Sequence, residues 1–361
     1  MNYPFSSPLY VMAKPASAAC NLSCRYCYYL DKANMYEDTG KRVMTEQLLE
    51  LFTRQYLEVQ TQPEVLFTWH GGEPLLRPLV FYQKALQLQR QYGRGRTIDN
   101  CLQTNGTLLN DEWCQFFKDN GFLIGISIDG PEALHDAYRK TRGGNPTWRS
   151  VMHGIELLQR YGVEWNAMAT VNHINADHPT EFYRFFRDIG CLYLQFTPVV
   201  ERIVDRTDGL KLAPGLQEDG QLSDYSVTPA QWGHFLCSLY DEWVREDVGQ
   251  VFVQLFDATL ANWCGVAPGL CSMSTMCGHA AVMEAGGDVY ACDHFVFPEY
   301  RLGNIRQQSL TAMMYGKQQQ AFGRMKRDTL TRQCRECRYL FACHGECPKN
   351  RFVRDCYNEP G

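Results

Sequence analysis

The chain has 361 residues, 21% of them charged, and a formal net charge of −5 at pH 7. That length suits one large α/β domain or two domains, and the acidic balance excludes nucleic acid as a general partner, because phosphate binding needs a basic surface. No stretch approaches the length of a membrane-spanning helix, and MNYPFSSPLYVMAKP is too short and proline-broken for a signal peptide, so the expectation is a soluble, cytosolic protein with no membrane partner.

From residue 9 to about residue 200, short apolar runs alternate with amphipathic stretches. The predicted strands are LYVMA (from Leu9), EVLFTW (from Glu64), IDNCLQ (from Ile98), FLIGISI (from Phe122), EWNAMATV (from Glu164) and YLQFTPV (from Tyr193). Between them, TEQLLELFTRQYLEVQ, FYQKALQLQRQYG, NDEWCQFFKDNG, WRSVMHGIELLQRYG and PTEFYRFFRDIG carry apolar residues at helical spacing, several ending in glycine. Such alternation implies parallel strands with right-handed crossovers, in a partial or full barrel or a doubly wound sheet. Residues 201–226 read as an irregular, charged connector, and a helix is predicted over residues 229–248. The segment from Cys264 onward has a different composition and reads as a separate metal-bound module, with a hairpin turning at Gly286-Gly287.

The unusual residues follow the strands, where such folds place their chemistry: CNLSCRYC after the first, HGGEP after the second, then TNG, DGP, VN and TPVV. Sixteen cysteines, nine of them between Cys264 and Cys356, point to metal ligation in a reducing compartment. Cys20, Cys24 and Cys27 form a CX3CX2C triplet that can hold three irons of a cubane cluster and leave the fourth open. Read as zinc ligands, these cysteines lack a nearby fourth partner. In the C-terminal segment, Cys271, Cys277, Cys292 and Cys334-x2-Cys337-x5-Cys343-x3-Cys347 suit zinc ribbons as well as iron–sulfur clusters.

The triplet, with Tyr26 just before its last cysteine, resembles the signature of the radical S-adenosylmethionine (SAM) superfamily. The resemblance implies a partial (β/α)6 TIM-like barrel over residues 1–228, a helical connector over 229–263 and a cysteine-rich SPASM module over 264–361. It implies a [4Fe–4S] cluster on Cys20, Cys24 and Cys27 whose open iron is chelated by SAM. By the same resemblance Gly71, Gly72 and Glu73 lie beside the SAM amino group, Ser127 and Arg139 take its ribose and carboxylate, and Tyr26 and the backbone near Val200 face adenine. The likeness to SPASM modules implies that Cys271, Cys277, Cys292 and Cys347 ligate a first auxiliary cluster. Cys334, Cys337 and Cys343 then ligate a second. The family's last cysteine has no match at its usual spacing: Cys356 sits closer to Cys347 than that pattern implies. Either Cys356 substitutes as the final ligand or, the favoured expectation, the second auxiliary cluster is incomplete. Cys101, Cys114, Cys191 and Cys237 are expected to be buried thiols.

The runs MAKPxxxxCNLxCxYCYYL, TWHGGEP, LQTNG, ISIDGPxxLHDxYR, QFTPVVER and VYACDHFVFPEYRLGN together resemble anaerobic sulfatase-maturating enzymes. That resemblance implies oxidation of a serine or cysteine in a sulfatase CxPxR or SxPxR segment to Cα-formylglycine. A 5′-deoxyadenosyl radical removes a Cβ hydrogen, Asp293 acts as the base, and a cluster takes the second electron. It also implies a monomer supplied with electrons by a reduced flavodoxin- or ferredoxin-type protein. His70 stands where relatives more often carry glutamine. The competing expectations are another SPASM-type peptide modifier, such as a thioether-forming maturase, and a zinc-bound binding protein without redox activity.

Overall fold

The computed structural model describes residues 9–35, 43–207, 209–213, 220–351 and 354–359. In chain order its strands are β1 (Tyr10–Ala13), β2 (Glu64–Trp69), β3 (Thr97–Thr104), β4 (Leu123–Ser127), β5 (Trp165–Val171), β6 (Tyr193–Pro198), β7 (Arg202–Ile203), β8 (Gln221–Leu222), β9 (Phe252–Val253), β10 (Ala280–Met283), β11 (Asp288–Tyr290) and β12 (Arg301–Asn304). The described residues fall into two compact units. One is drawn from segments 1–19, 32–102 and 271–361, and the other from 20–31 and 103–270.

In the first unit the strand order is β12-β11-β10-β1-β2-β3. Strands β10, β1, β2 and β3 run parallel, β11 runs antiparallel to β10, and β12 turns back antiparallel to β11. The predicted hairpin at Gly286-Gly287 is the β10–β11 turn. It places β10 against β1 in the register Tyr10↔Ala280 to Ala13↔Met283. Helix Glu46–Val59 starts where the Thr45 side chain accepts from the Leu48 amide, and it buries Leu48, Leu49, Phe52, Tyr56 and Leu57 at helical spacing. Phe52 and Tyr56 meet Phe67 of β2 edge to face, with centroids 5.9 and 5.0 Å apart, and so anchor the helix on the sheet.

In the second unit β4, β5, β6 and β9 are parallel. Helix Trp148–Tyr161 ends at Gly162, whose φ of +63° only glycine adopts without cost. The connector over residues 201–226 contains the small antiparallel β7–β8 pair, and part of it (residues 208 and 214–219) lies outside the described residues. The predicted strands and helices match the observed ones to within one or two residues at most boundaries. The sequence reading passed over β12 and the helices Gln254–Trp263, Leu310–Met314 and Lys317–Asp328. Cys114 and Cys191 are buried as expected, whereas Cys237 is exposed. Helix Pro229–Glu246 buries Phe235, Leu239 and Trp243, a stripe of every fourth residue, and Cys237 lies off that stripe. No helix among the described residues is long and apolar enough to cross a membrane.

Candidate active site

In the second unit the cysteine segment is tied to the strand-like stretch after helix Glu132–Tyr138. The Ser23 amide donates to Lys140 O at 2.8 Å and the Arg25 amide to Tyr138 O at 3.1 Å. Leu22, Cys24, Tyr26, Tyr138 and Val199 pack together, with Cys20 and Cys27 against them, so Val199, next to Val200, meets the aromatic side of the triplet. The Tyr26 hydroxyl donates to Asp129. Asp129 also holds Arg139, with Nε 2.8 Å from Oδ2 and Nη2 3.0 Å from Oδ1, and accepts the Thr170 amide at 2.9 Å. The Arg139 guanidinium thus rests on Asp129, 5.6 Å from the Tyr26 ring centroid. Behind it the Asp129 amide donates to His135 Nδ1 at 3.2 Å, and His135 Nε2 lies 3.0 Å from Thr147 Oγ1. Thr147 Oγ1 in turn donates to Arg139 O at 2.9 Å, so the neutral ring carries its proton on Nε2. Burial, then the Arg139 charge, lowers His135 to about 4. Ser127, at the end of β4, accepts from Gln103 Nε2 at 3.0 Å.

In the first unit β1 and β2 deliver Lys14 and the HGGEP loop. The His70 amide continues the ladder to Ala13 O at 2.9 Å, and the Gly71 amide donates to His70 Nδ1 at 2.7 Å. The Gly72 and Glu73 amides then donate to Ser17 O at 2.8 Å and Ala19 O at 2.7 Å. A Cβ on Gly72 would lie 2.1 Å from Ala19 O, and Gly71 has φ +130°, so backbone passes backbone here at a distance only glycines allow. Glu73 is fully buried and accepts the Leu75 amide.

Asp293, in the turn after β11, lies in a nest of basic groups. Lys14 Nζ is 2.6 Å from its Oδ1 and 2.9 Å from Glu284 Oε1, and Lys32 Nζ donates to Asp293 O at 3.0 Å. Burial opposes ionisation of Asp293, but Lys14, His70 and Lys32 outweigh it and hold the carboxyl well below the usual range. Burial also lowers His70, so near neutral pH its ring is uncharged and the two lysines carry this effect.

The thiols of Cys271, Cys277, Cys292 and Cys347 lie close enough to raise one another's pKa values. Burial, against the pull of Lys326, pushes Cys277 up to about 12. In the second unit burial, with Cys24 beside it, pushes Cys27 up to about 12. Such thiols must release protons to bind iron, so cluster loading is linked to proton release. A repeated local geometry prepares the sulfurs for it. Cys20, Cys337 and Cys343 each accept from the amide two residues on, at 3.4 Å in each case. Cys27, Cys292 and Cys347 take the same i+2 amides from Tyr29, His294 and Lys349. Amide donors aimed at sulfur favour thiolate and tune a cluster's potential. No three His, Cys, Asp or Glu side chains among the described residues converge as ligands of a single metal ion do, and a cubane, which spreads its thiolates over separate irons, does not ask them to. An all-thiol donor set with backbone amides aimed at the sulfurs fits iron–sulfur clusters. Cys334 lies on helix Arg332–Glu336, and Cys356 is exposed with its thiol 3.7 Å from Gln333 Oε1.

Sequence reasoning missed Lys14, Glu284, Lys32, Asp129 and His135. Lys14 and Glu284 each directly follow a strand, Asp129 lies in the turn after β4, and Lys32 and His135 sit on short helices with no local signal of a role.

Residues 15–186 match the radical SAM superfamily and residues 271–338 an iron–sulfur cluster-binding domain known as SPASM. The chain is 60% identical to a serine-type anaerobic sulfatase-maturating enzyme of Bacteroides thetaiotaomicron, over 99% of this chain and 87% of the relative. It is 30% identical to a cysteine-type anaerobic sulfatase-maturating enzyme of Clostridium perfringens, over 96% and 91%. The solved structure of native anSMEcpe with bound AdoMet and Kp18Cys peptide superposes with a TM-score of 0.84 at 29% identity, covering 98% of this chain and 92% of that one. The partial-barrel reading of the fold holds, and the chain belongs to the radical SAM superfamily and, within it, to the anaerobic sulfatase-maturating enzymes.

Proposed function

We propose that this enzyme oxidises a serine of a sulfatase SxPxR segment to Cα-formylglycine in the absence of oxygen. The serine preference is supported by the 60% identity to a serine-type relative, against 30% to a cysteine-type one. The peptide substrate is supported by the peptide-bound relative of the same fold. The observation that carries the reading is Asp293, ionised by Lys14 and next in sequence to Cys292.

When bound, SAM and the [4Fe–4S] clusters supply hydrogen-atom abstraction at the serine Cβ and an acceptor for the second electron. Cys20, Cys24 and Cys27 would hold the SAM-binding cluster. Cys271, Cys277, Cys292 and Cys347 would hold one auxiliary cluster, and Cys334, Cys337 and Cys343 would contribute to another. Gly71, Gly72 and Glu73 form the backbone cradle for the SAM amino group, and Tyr26, Ser127 and the backbone near Val200 serve its nucleoside. Arg139 would reach the SAM carboxylate while braced by Asp129. Asp293, as carboxylate, accepts the serine hydroxyl proton. The core spans residues 1–228, the connector 229–263 and the auxiliary module 264–361. A reduced flavodoxin- or ferredoxin-type protein delivers electrons to the monomer.

The test is anaerobic incubation of reconstituted enzyme with reductant, SAM and an SxPxR peptide, followed by mass spectrometry. A peptide that loses two hydrogens at serine is the expected product. SAM cleavage with an unchanged peptide would point to a different substrate.

A further inference from the structure

Lys14 is the residue after β1, and Glu284 is the residue after β10. Because Ala13 pairs with Met283 and the Lys14 amide donates to Met283 O at 2.9 Å, the parallel register brings the two side chains together, 270 residues apart in sequence. The Lys14 side chain has no exposure, and Glu284 and Asp293 both lie within ion-pair distance of its ammonium. Removing an ammonium from water costs several kcal/mol unless carboxylates compensate, so two partners are a physical requirement of this placement.

The arrangement also distinguishes the two Asp293 oxygens. Oδ1 is buried and faces Lys14, whereas the side chain as a whole retains 16% exposure, which therefore lies away from Oδ1. Lys32 holds the Asp293 carbonyl, so two lysines grip the residue at side chain and backbone. Glu284 gives the ammonium a second anchor, so Lys14 need not move when the charge on Asp293 changes.

We propose that Lys14 is the positioning residue for Asp293: its ammonium, fixed by Glu284, locks Oδ1 and thereby turns the other carboxylate oxygen outward as the proton acceptor. The proposal rests on the reading of Asp293 as the base. An acceptor displaced by a fraction of an ångström fails to take the proton in time, and the radical is then spent without product.

The experiment compares Lys14→Met, the double variant Lys14→Met/Glu284→Gln and Asp293→Asn, each reconstituted anaerobically. It reads iron content, melting temperature, peptide affinity by equilibrium binding, and formylglycine formed per 5′-deoxyadenosine. Lys14→Met leaves Glu284 buried without its cation and will be unstable; the double variant removes the Lys14–Glu284 pair at matched size, leaves Lys32 beside the partly exposed Asp293, and is expected to fold. With iron and peptide affinity at the parental level, formylglycine per deoxyadenosine should fall about tenfold or more in the double variant. A purely structural ion pair would instead lower the melting temperature or total turnover and leave that ratio unchanged, which would overturn the proposal. If Asp293→Asn abolishes formylglycine while the double variant stays coupled, the base reading stands and the role of Lys14 falls. If Asp293→Asn itself remains coupled, the base reading fails first and the proposal fails with it.

Discussion

Arg139 Nε lies 2.8 Å from Asp129 Oδ2, and the Asp129 side chain is wholly buried. The same carboxylate takes the Tyr26 hydroxyl and the Thr170 amide, so one residue joins the cysteine segment, the arginine and β5. Asp129→Ala would strand a buried guanidinium, at a cost of about 3–5 kcal/mol. The expected result is a lower urea midpoint with an unchanged slope in anaerobic unfolding. A midpoint equal to the parent's would show that Arg139 finds another partner.

Gly72 approaches the Ala19 carbonyl so closely that a Cβ would sit 2.1 Å from its oxygen. Gly72→Ala must therefore shift the HGGEP loop, because backbone rather than a flexible side chain stands in the way. SAM affinity is expected to fall at least about tenfold, a loss of about 1.4 kcal/mol, in equilibrium binding to the reconstituted protein. Parental affinity would remove this loop from the SAM site.

His135 gives the stability a pH dependence of known sign. Its pKa is lowered from 6.5 to about 4 in the fold, chiefly by burial, so between those values the unfolded chain binds more protons than the native one. Stability should be level above pH 6.5 and decline as pH falls towards 4, by about 3 kcal/mol in all from this residue. Comparing urea midpoints at pH 7 and pH 5 for parent and His135→Gln isolates the effect. Equal losses in the two proteins would assign it elsewhere.

If the triplet holds the SAM-binding cubane as proposed, replacing Cys20, Cys24 and Cys27 together by alanine should remove about four irons per chain and all SAM cleavage. Iron held by Cys271, Cys277, Cys292 and Cys347 should remain, with its charge-transfer absorbance. Retained SAM cleavage would move the SAM cluster to another site.

Local pattern carried the strands well. EVLFTW is β2 residue for residue, because its apolar run is bounded by polar turns on both sides. The cysteine clusters stood out by spacing, which suits zinc as well as iron–sulfur clusters; the choice between them came from the family resemblance. Cys237 was misjudged because a thiol's burial depends on which face of helix Pro229–Glu246 turns inward, and an aromatic-rich helix leaves that ambiguous. Lys14 was invisible for a different reason. A lysine at a strand end is ordinarily solvated, and only the pairing of β1 with β10 shows that this one is buried. Asp129 and His135 sit in quoted motifs, yet their hydrogen bonds run through Thr147 and Thr170, which no spacing rule connects to them.

The pairing of Tyr10–Ala13 with Ala280–Met283 has a consequence for how the protein is made. A ribosome releases the first strand long before its neighbour exists, so one edge of that strand waits, unpaired, through most of synthesis. Contacts of such long sequence separation form slowly, and here they also neutralise the Lys14 ammonium. The hairpin that completes the sheet carries Cys292 and Asp293 with it. Sheet closure, charge neutralisation and delivery of that cysteine thus fall in one late step of biogenesis. Iron delivered before then would meet the whole N-terminal triplet but an auxiliary set still lacking Cys292.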